Sequence, residues 1–195
     1  MEKIGIMGGS FDPPHKAHLQ IAEAALDFLK LGKIIFVPAF AAPLKPKPHA
    51  ASFADRLAML KLALKKFRKK WEICEIERER GGVSYSVDTA EFLAEKNPGA
   101  RLFWIIGTDQ LACLHKWREI ERLAQIVEFA VLQRGGAPQA ENENAAGFAK
   151  IARVPFEPLD ISSTQIRQMA KNGENVSDFV DADVFNYIKD NNLYI

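Results

Sequence analysis

Short apolar runs of strand length alternate with stretches of helical period along the whole chain, and this alternation constrains the fold more than any other feature. Residues 3–7 (KIGIM), 33–38 (KIIFVP), 71–77 (WEICEIE), 101–107 (RLFWIIG), 126–134 (IVEFAVLQR) and 150–156 (KIARVPF) read as strands. Between the first two, residues 17–30 set Leu19, Ile21, Ala22, Ala25, Leu26 and Leu29 near helical spacing, with Gly32 as a stop. Residues 52–67, 84–96, 162–173 and 183–191 read as further helices, and Ser52 with Asp55 three residues on is a variant capping box. Strands apolar on both faces must be covered on both. The expected fold is therefore α/β: a doubly wound, Rossmann-like, mostly parallel sheet with helices on both faces and a small C-terminal helical extension. At 195 residues with no internal repeat, a single domain over 1–195 is expected.

Such sheets bind ligands beyond the carboxyl ends of their strands, where the strand order reverses, so the loops after the first, fourth and fifth strands are where a site belongs. The net charge of +1 offers no electrostatic case for nucleic acid or an anionic membrane surface, which leaves small molecules as partners. Nine Lys or Arg face one acid, Asp55, between residues 45 and 70; "KKFRKK" there reads as the solvated basic end of a helix. Cys74 and Cys113 lack C-x-x-C spacing and read as free buried thiols of a reducing compartment. No apolar run approaches the roughly 18 residues that span a bilayer, and no leader-like segment opens the chain, so a cytoplasmic protein is expected. Monomer and homo-oligomer both stay open.

The loop after the first strand, "GGSFDPPHKAHL", carries the chemistry. Gly8 and Gly9 let backbone approach a ligand, and a helix starting near Lys16 offers N–H groups and a partial positive charge: anion-binding geometry. Asp12, between Phe11 and Pro13, reads as a residue that fixes the turn. His15 and His18, three apart, share one side of the first helical turn. Zinc would want a third protein ligand, and His49 and His115 lie elsewhere without a carboxylate or thiol cluster. Paired imidazoles after a Gly-Gly turn favour phosphate recognition over a metal.

"GGSFDPPHKAH" resembles the G-x-F-D-P-x-H-x-G-H signature of the nucleotidyltransferase superfamily, and "ISSTQIR" its I-S-S-T-x-I-R element. "SYS" at 84–86, "IIGTDQL" at 105–111, "KWRE" around Trp117 and "QRGG" at 133–136 resemble, in order, the P-S-Y-T, I-G-x-D, W and R-x-G elements of bacterial nicotinate-mononucleotide adenylyltransferases. "NNLY" is similar to their G-L-Y ending. The resemblance implies transfer of AMP from ATP to nicotinate mononucleotide, giving deamido-NAD and pyrophosphate in NAD biosynthesis, with Mg²⁺ carried on the ATP phosphates. It implies ATP contacts from Gly8, Gly9, Ser10, Phe11, His15 and His18 in the opening loop. Gly107 and Asp109 would meet the ribose, and Arg134, Ile161, Ser162, Ser163 and Arg167 would complete the nucleotide site. Of these, His15, His18 and Arg167, together with Lys45, would act on the triphosphate, Arg167 from the first turn of its helix. Lys45, Tyr85, Ser86 and Trp117 would hold the mononucleotide, with Trp117 stacked on the pyridine ring.

By residue type alone, Asp109 and the serines at 162 and 163 read equally as helix caps, Arg134 as an exposed loop residue and Trp117 as core. Three positions depart from the family pattern: Ala17 stands for a glycine, Ala39 with Phe40 for an asparagine, and Leu44 in "APLK" for a histidine. Two alternatives follow. One is adenylyl transfer to another acceptor, nicotinamide mononucleotide or phosphopantetheine; the other is a nucleotide-binding module without catalysis. A T-x-G-H opening is absent, which disfavours phosphopantetheine, and the presence of both His15 and His18 argues against the inactive module.

Overall fold

The computed structural model describes residues 1–41, 49–67, 70–133, 147, 149–157 and 159–194. Its elements run β1 (Lys3–Gly9), α1 (Lys16–Leu29), β2 (Lys33–Pro38), α2 (Phe53–Leu64), β3 (Trp71–Ile73), α3 (Ile76–Arg80), α4 (Ser86–Lys96), β4 (Arg101–Gly107), α5 (Thr108–Ala112), α6 (Ile120–Ile126), β5 (Val127–Gln133), β6 (Ile151–Pro155), α7 (Ser163–Lys171) and α8 (Ala182–Asp190). A 3₁₀ turn, Leu114–Lys116, links α5 to α6. The strands form one sheet in the order β3-β2-β1-β4-β5-β6, and every pairing is parallel. The order reverses between β1 and β4, the switch point where an α/β sheet opens a crevice at its carboxyl edge.

Alternation along the strands sorts the core into two layers. Ile4, Ile6, Leu102, Trp104 and Ile106 face α4 and α6, burying Val87, Ala90, Leu93 and Leu123 with them. Met7, Ile34, Phe36, Phe103 and Ile105 face α1 and α2, burying Ala22, Ala25, Leu26, Leu60 and Leu64. A third cluster joins α2 to the C-terminal helices through Met59, Ala63, Ile166, Val184 and Ile188. The extension is thus docked on the domain edge.

Four sequence expectations are revised. β1 continues through the two glycines, because its ladder with β2 runs on to Gly8↔Val37 and Gly9↔Pro38. The strand expected at 71–77 stops at Ile73 after three ladder pairs with β2, and α3 begins at Ile76, turning Glu77 inward. The lysines after α2 are not simply solvated: Lys65 pairs with Asp183 at 3.7 Å and Lys66 with Asp181 at 2.9 Å, so the basic segment meets the acidic start of α8. Such exposed pairs orient the docked helix more than they stabilise it. Cys74 and Cys113 are free thiols but only half-buried. Among the described residues no helix is long and apolar enough to cross a membrane.

Candidate functional site

Beyond Gly9 the chain leaves the sheet with Phe11 in the left-handed region, at φ 49°, and passes through a cis peptide between Asp12 and Pro13. A Cβ on Gly9 would lie 3.0 Å from the Phe11 ring, so only glycine lets the strand end pass over that ring without a shift. Phe11 is 1% exposed and packs edge-on against Phe36 and His18. Its side chain supports the loop from beneath instead of meeting solvent. Gly8 has ordinary room for a Cβ beside Trp104 and lines the open cavity described below.

His15 is the N-cap of α1 and His18 its third residue, and the two rings lie 3.7 Å apart between centroids. The His15 backbone N–H donates to His18 Nδ1 at 3.2 Å, which puts the proton of the neutral His18 ring on Nε2. His15 is 6% exposed, its Nδ1 is buried with no hydrogen-bond partner among the described residues, and burial pushes its pKa down to about 4. It is therefore a neutral imidazole at pH 7, a hydrogen-bonding group and not a cation. The first N–H of α1 is already taken, since Lys16 N donates to the Phe179 carbonyl at 2.8 Å.

Of the two serines at the start of α7, Ser162 caps it: its Oγ accepts from Gln165 N, and the Gln165 side chain accepts from Ser162 N at 2.8 Å. Ser163 instead reaches the opening loop, donating to the Pro13 carbonyl at 2.9 Å. Arg167 stands in the second turn of α7, not the first, and from there its Nη1 donates to the Asp12 carbonyl at 2.7 Å. Half-buried Ile161 packs on the third core cluster. The two sequence motifs thus meet in space although some 150 residues separate them. Lys45 and Arg134, with Leu44, lie outside the described residues.

At the carboxyl ends of β1 and β4 a cavity of about 690 Å³ opens. Gly8, Gly9, Ser10 and Asp109 line it together with Tyr85, Ser86 and Trp117. Asp109 is the second residue of α5 and not its cap, a position held by Gly107, whose N–H donates to Gln110 Oε1 at 3.2 Å. A Cβ on Gly107 would lie 2.6 Å from Asp109 Oδ1, so the missing side chain leaves that carboxylate its place. Trp117 packs edge-on against Trp104 and Phe129 at 6.2 and 6.4 Å, as a core residue would, and it also lines the cavity. Tyr85, extended at the N-cap of α4, carries the Arg118 guanidinium 4.5 Å over its ring. This brings Ser86 and the amino end of α4 to the cavity wall.

Sequence reasoning missed Glu77, Ser84 and Arg118 in the lining, and Arg56 below it. Glu77 accepts from Phe40 N at 3.2 Å and from Thr89 Oγ1 at 3.4 Å, and burial raises its pKa. Ser84 Oγ is buried in the same wall, where its hydroxyl also acts on the Glu77 carboxylate and opposes the effect of burial. Arg56, 1% exposed, donates Nη1 to the Ser10 carbonyl at 2.7 Å. Its signal was available: Arg56 occupies the face of α2 that also carries Leu60 and Ala63, four and seven residues on.

A profile of the cytidylyltransferase-like family matches residues 6–169. A protein of Opitutus terrae with the name "probable nicotinate-nucleotide adenylyltransferase" is 40% identical over 192 residues, 98% of this chain and 97% of that one. One of the same name from Shouchella clausii is 38% identical over 194 residues, 100% of this chain and 97% of that one. Among solved structures, the nicotinic acid mononucleotide adenylyltransferase of Plasmodium falciparum complexed with NaAD superposes with a TM-score of 0.82 at 21% identity, covering 100% of this chain and 98% of that one.

Proposed function

The chain belongs to the cytidylyltransferase-like family and, within it, to the nicotinate-nucleotide adenylyltransferases, and we propose that the cavity at the carboxyl ends of β1 and β4 is where it transfers AMP from ATP to the phosphate of nicotinate mononucleotide. The products are deamido-NAD and pyrophosphate, and the reaction belongs to NAD biosynthesis. One observation carries the assignment of the site: the glycine loop and Asp109, and Tyr85, Ser86 and Trp117, all wall one cavity. Two nucleotides bound to those walls would meet with their phosphates between them.

The acceptor phosphate is already a competent nucleophile, so the work of the protein is alignment and charge stabilisation. One acceptor oxygen forms the new bond to the α-phosphorus while the bond to pyrophosphate breaks, and no side chain need carry the adenylyl group. On this reading Gly8, Gly9 and Ser10 admit the triphosphate, His15 and His18 donate hydrogen bonds to it, and Lys45 and Arg167 supply positive charge. Phe11 acts through the loop it supports, Asp109 takes the ribose hydroxyls beside Gly107, and Arg134, Ile161, Ser162 and Ser163 close the adenosine side. Tyr85, Ser86 and Trp117 hold the pyridine end, where the N–H groups at the amino end of α4 suit a carboxylate.

Magnesium enters as part of the nucleotide. Carried on the ATP phosphates, it would neutralise charge on the leaving group. The chain would act as one nucleotidyltransferase unit over residues 1–195, in the cytoplasm where ATP is supplied. The test is to supply ATP and Mg²⁺ with nicotinate mononucleotide, nicotinamide mononucleotide or phosphopantetheine and to measure pyrophosphate. Preferential release with nicotinate mononucleotide is expected, and preference for either other acceptor would overturn the reading.

A further inference from the structure

We propose that Tyr194 is a positioning residue for the phosphate-binding loop, acting through the buried carboxylate of Asp12. The inference rests on the reading of that loop as the ATP phosphate site.

Residues 10–13 belong to no helix or strand, so their course is fixed by side chains from elsewhere. Arg56 holds the Ser10 carbonyl at 2.7 Å, Arg167 that of Asp12 at 2.7 Å and Ser163 that of Pro13 at 2.9 Å. The Asp12 side chain, 3% exposed, points the other way and collects donors: Ala50 N on Oδ2 at 2.7 Å, Ala51 N on Oδ1 at 3.1 Å and the Tyr194 hydroxyl on Oδ1 at 2.8 Å. A carboxylate so far from water keeps its place only while protein donors replace its hydration. Two of its three donors are backbone N–H groups. Tyr194, 182 residues from Asp12, is the one that a side-chain substitution removes.

Without the phenol, Oδ1 keeps only the 3.1 Å bond from Ala51, and the carboxylate must turn towards Ala50 or draw in water. Either response moves Asp12, and with it the carbonyl that Arg167 grips. The loop runs on from there into His15, the N-cap of α1. Burial and the Asp12 charge raise the Tyr194 pKa, so the phenol stays a donor across the working range of pH.

The molecule contains its own control. Tyr187 in α8 donates to Asp55 Oδ1 at 3.0 Å, a second tyrosine–aspartate bond that ties the C-terminal region to α2 without touching the loop. Both Tyr194→Phe and Tyr187→Phe keep the ring and lose one bond to a carboxylate, so both should lower the Tm slightly. Only Tyr194→Phe is expected to weaken binding of a non-hydrolysable ATP analogue, by roughly tenfold in titration calorimetry, the usual worth of one hydrogen bond to a charged group. The KM for nicotinate mononucleotide should stay within about twofold of wild type, and Asp12→Asn with Tyr194→Phe should bind the analogue no worse than Asp12→Asn alone. Analogue affinity within about twofold of wild type in Tyr194→Phe, or an equal loss in Tyr187→Phe, overturns the proposal. Because the analogue is titrated without any acceptor, that failure is distinct from wild-type enzyme not turning over nicotinate mononucleotide, which would count against the proposed acceptor.

Discussion

His15 and His18 stand ring to ring, 3.7 Å between centroids, with the backbone N–H of the first bonded to Nδ1 of the second. The arrangement spends one face of His18 on its neighbour and leaves Nε2 as the nitrogen that carries the proton of the neutral ring. Replacing His18 with Ala removes one positioned donor. A loss of about a hundredfold in kcat/KM for ATP is expected, the usual cost of deleting one donor to developing phosphate or oxyanion charge. Steady-state kinetics with ATP varied at saturating acceptor measures it, and unchanged kinetics would contradict the phosphate role.

His15 also makes stability depend on pH. Its pKa lies at about 4 in the folded protein against 6.5 in the unfolded chain, so the unfolded state binds the proton more tightly. The stability due to a neutral buried ring is fully present above pH 6.5 and is lost as pH falls from there towards 4, a change on the order of 3 kcal/mol. His15→Gln lacks that titration. Denaturant unfolding across this interval should show the wild type losing stability relative to the variant; parallel curves would contradict the assignment.

At Gly107 the prediction concerns a neighbour. A methyl there would strike Asp109 Oδ1, which can rotate away, so Gly107→Ala should fold with a Tm near that of wild type. The displaced carboxylate then no longer meets a ribose hydroxyl, and the KM for ATP should rise about tenfold, in line with the loss of one charge-assisted hydrogen bond. Asp109→Asn should show a similar rise, and a wild-type KM in both variants would remove Asp109 from the nucleotide site.

Cys113 lines the cavity and is half-buried, whereas Cys74 borders a separate recess near α3. In a Cys74→Ala background, alkylation of Cys113 by a maleimide should slow when nicotinate mononucleotide fills the cavity. Mass spectrometry of the labelled protein reads the rate. Equal labelling with and without the mononucleotide would place the ligand elsewhere.

The opening loop and its partner motif were legible in the sequence because both are local: a strand ending in glycine, a capped helix start, and the Ser162–Gln165 reciprocal cap need only their own residues. Legibility fails where tertiary partners decide. "WEICEIE" alternates with strand period, yet the edge strand finds only three partners on β2 before Glu77 turns in to bind Phe40 N and Thr89. Arg167 was assigned to charge on a ligand, and the fold also gives it the Asp12 carbonyl, a contact across 155 positions that no local pattern encodes. Tyr194 escaped for the same reason.

Direct transfer between two nucleotides held in one cavity is the central claim, and the stereochemistry at the α-phosphorus tests it most directly. With ATP made chiral by sulfur on the α-phosphate and nicotinate mononucleotide as acceptor, a single in-line displacement inverts the configuration in the deamido-NAD formed. Inversion is the predicted result. Retention, which requires an adenylylated side chain and a second displacement, would contradict the account.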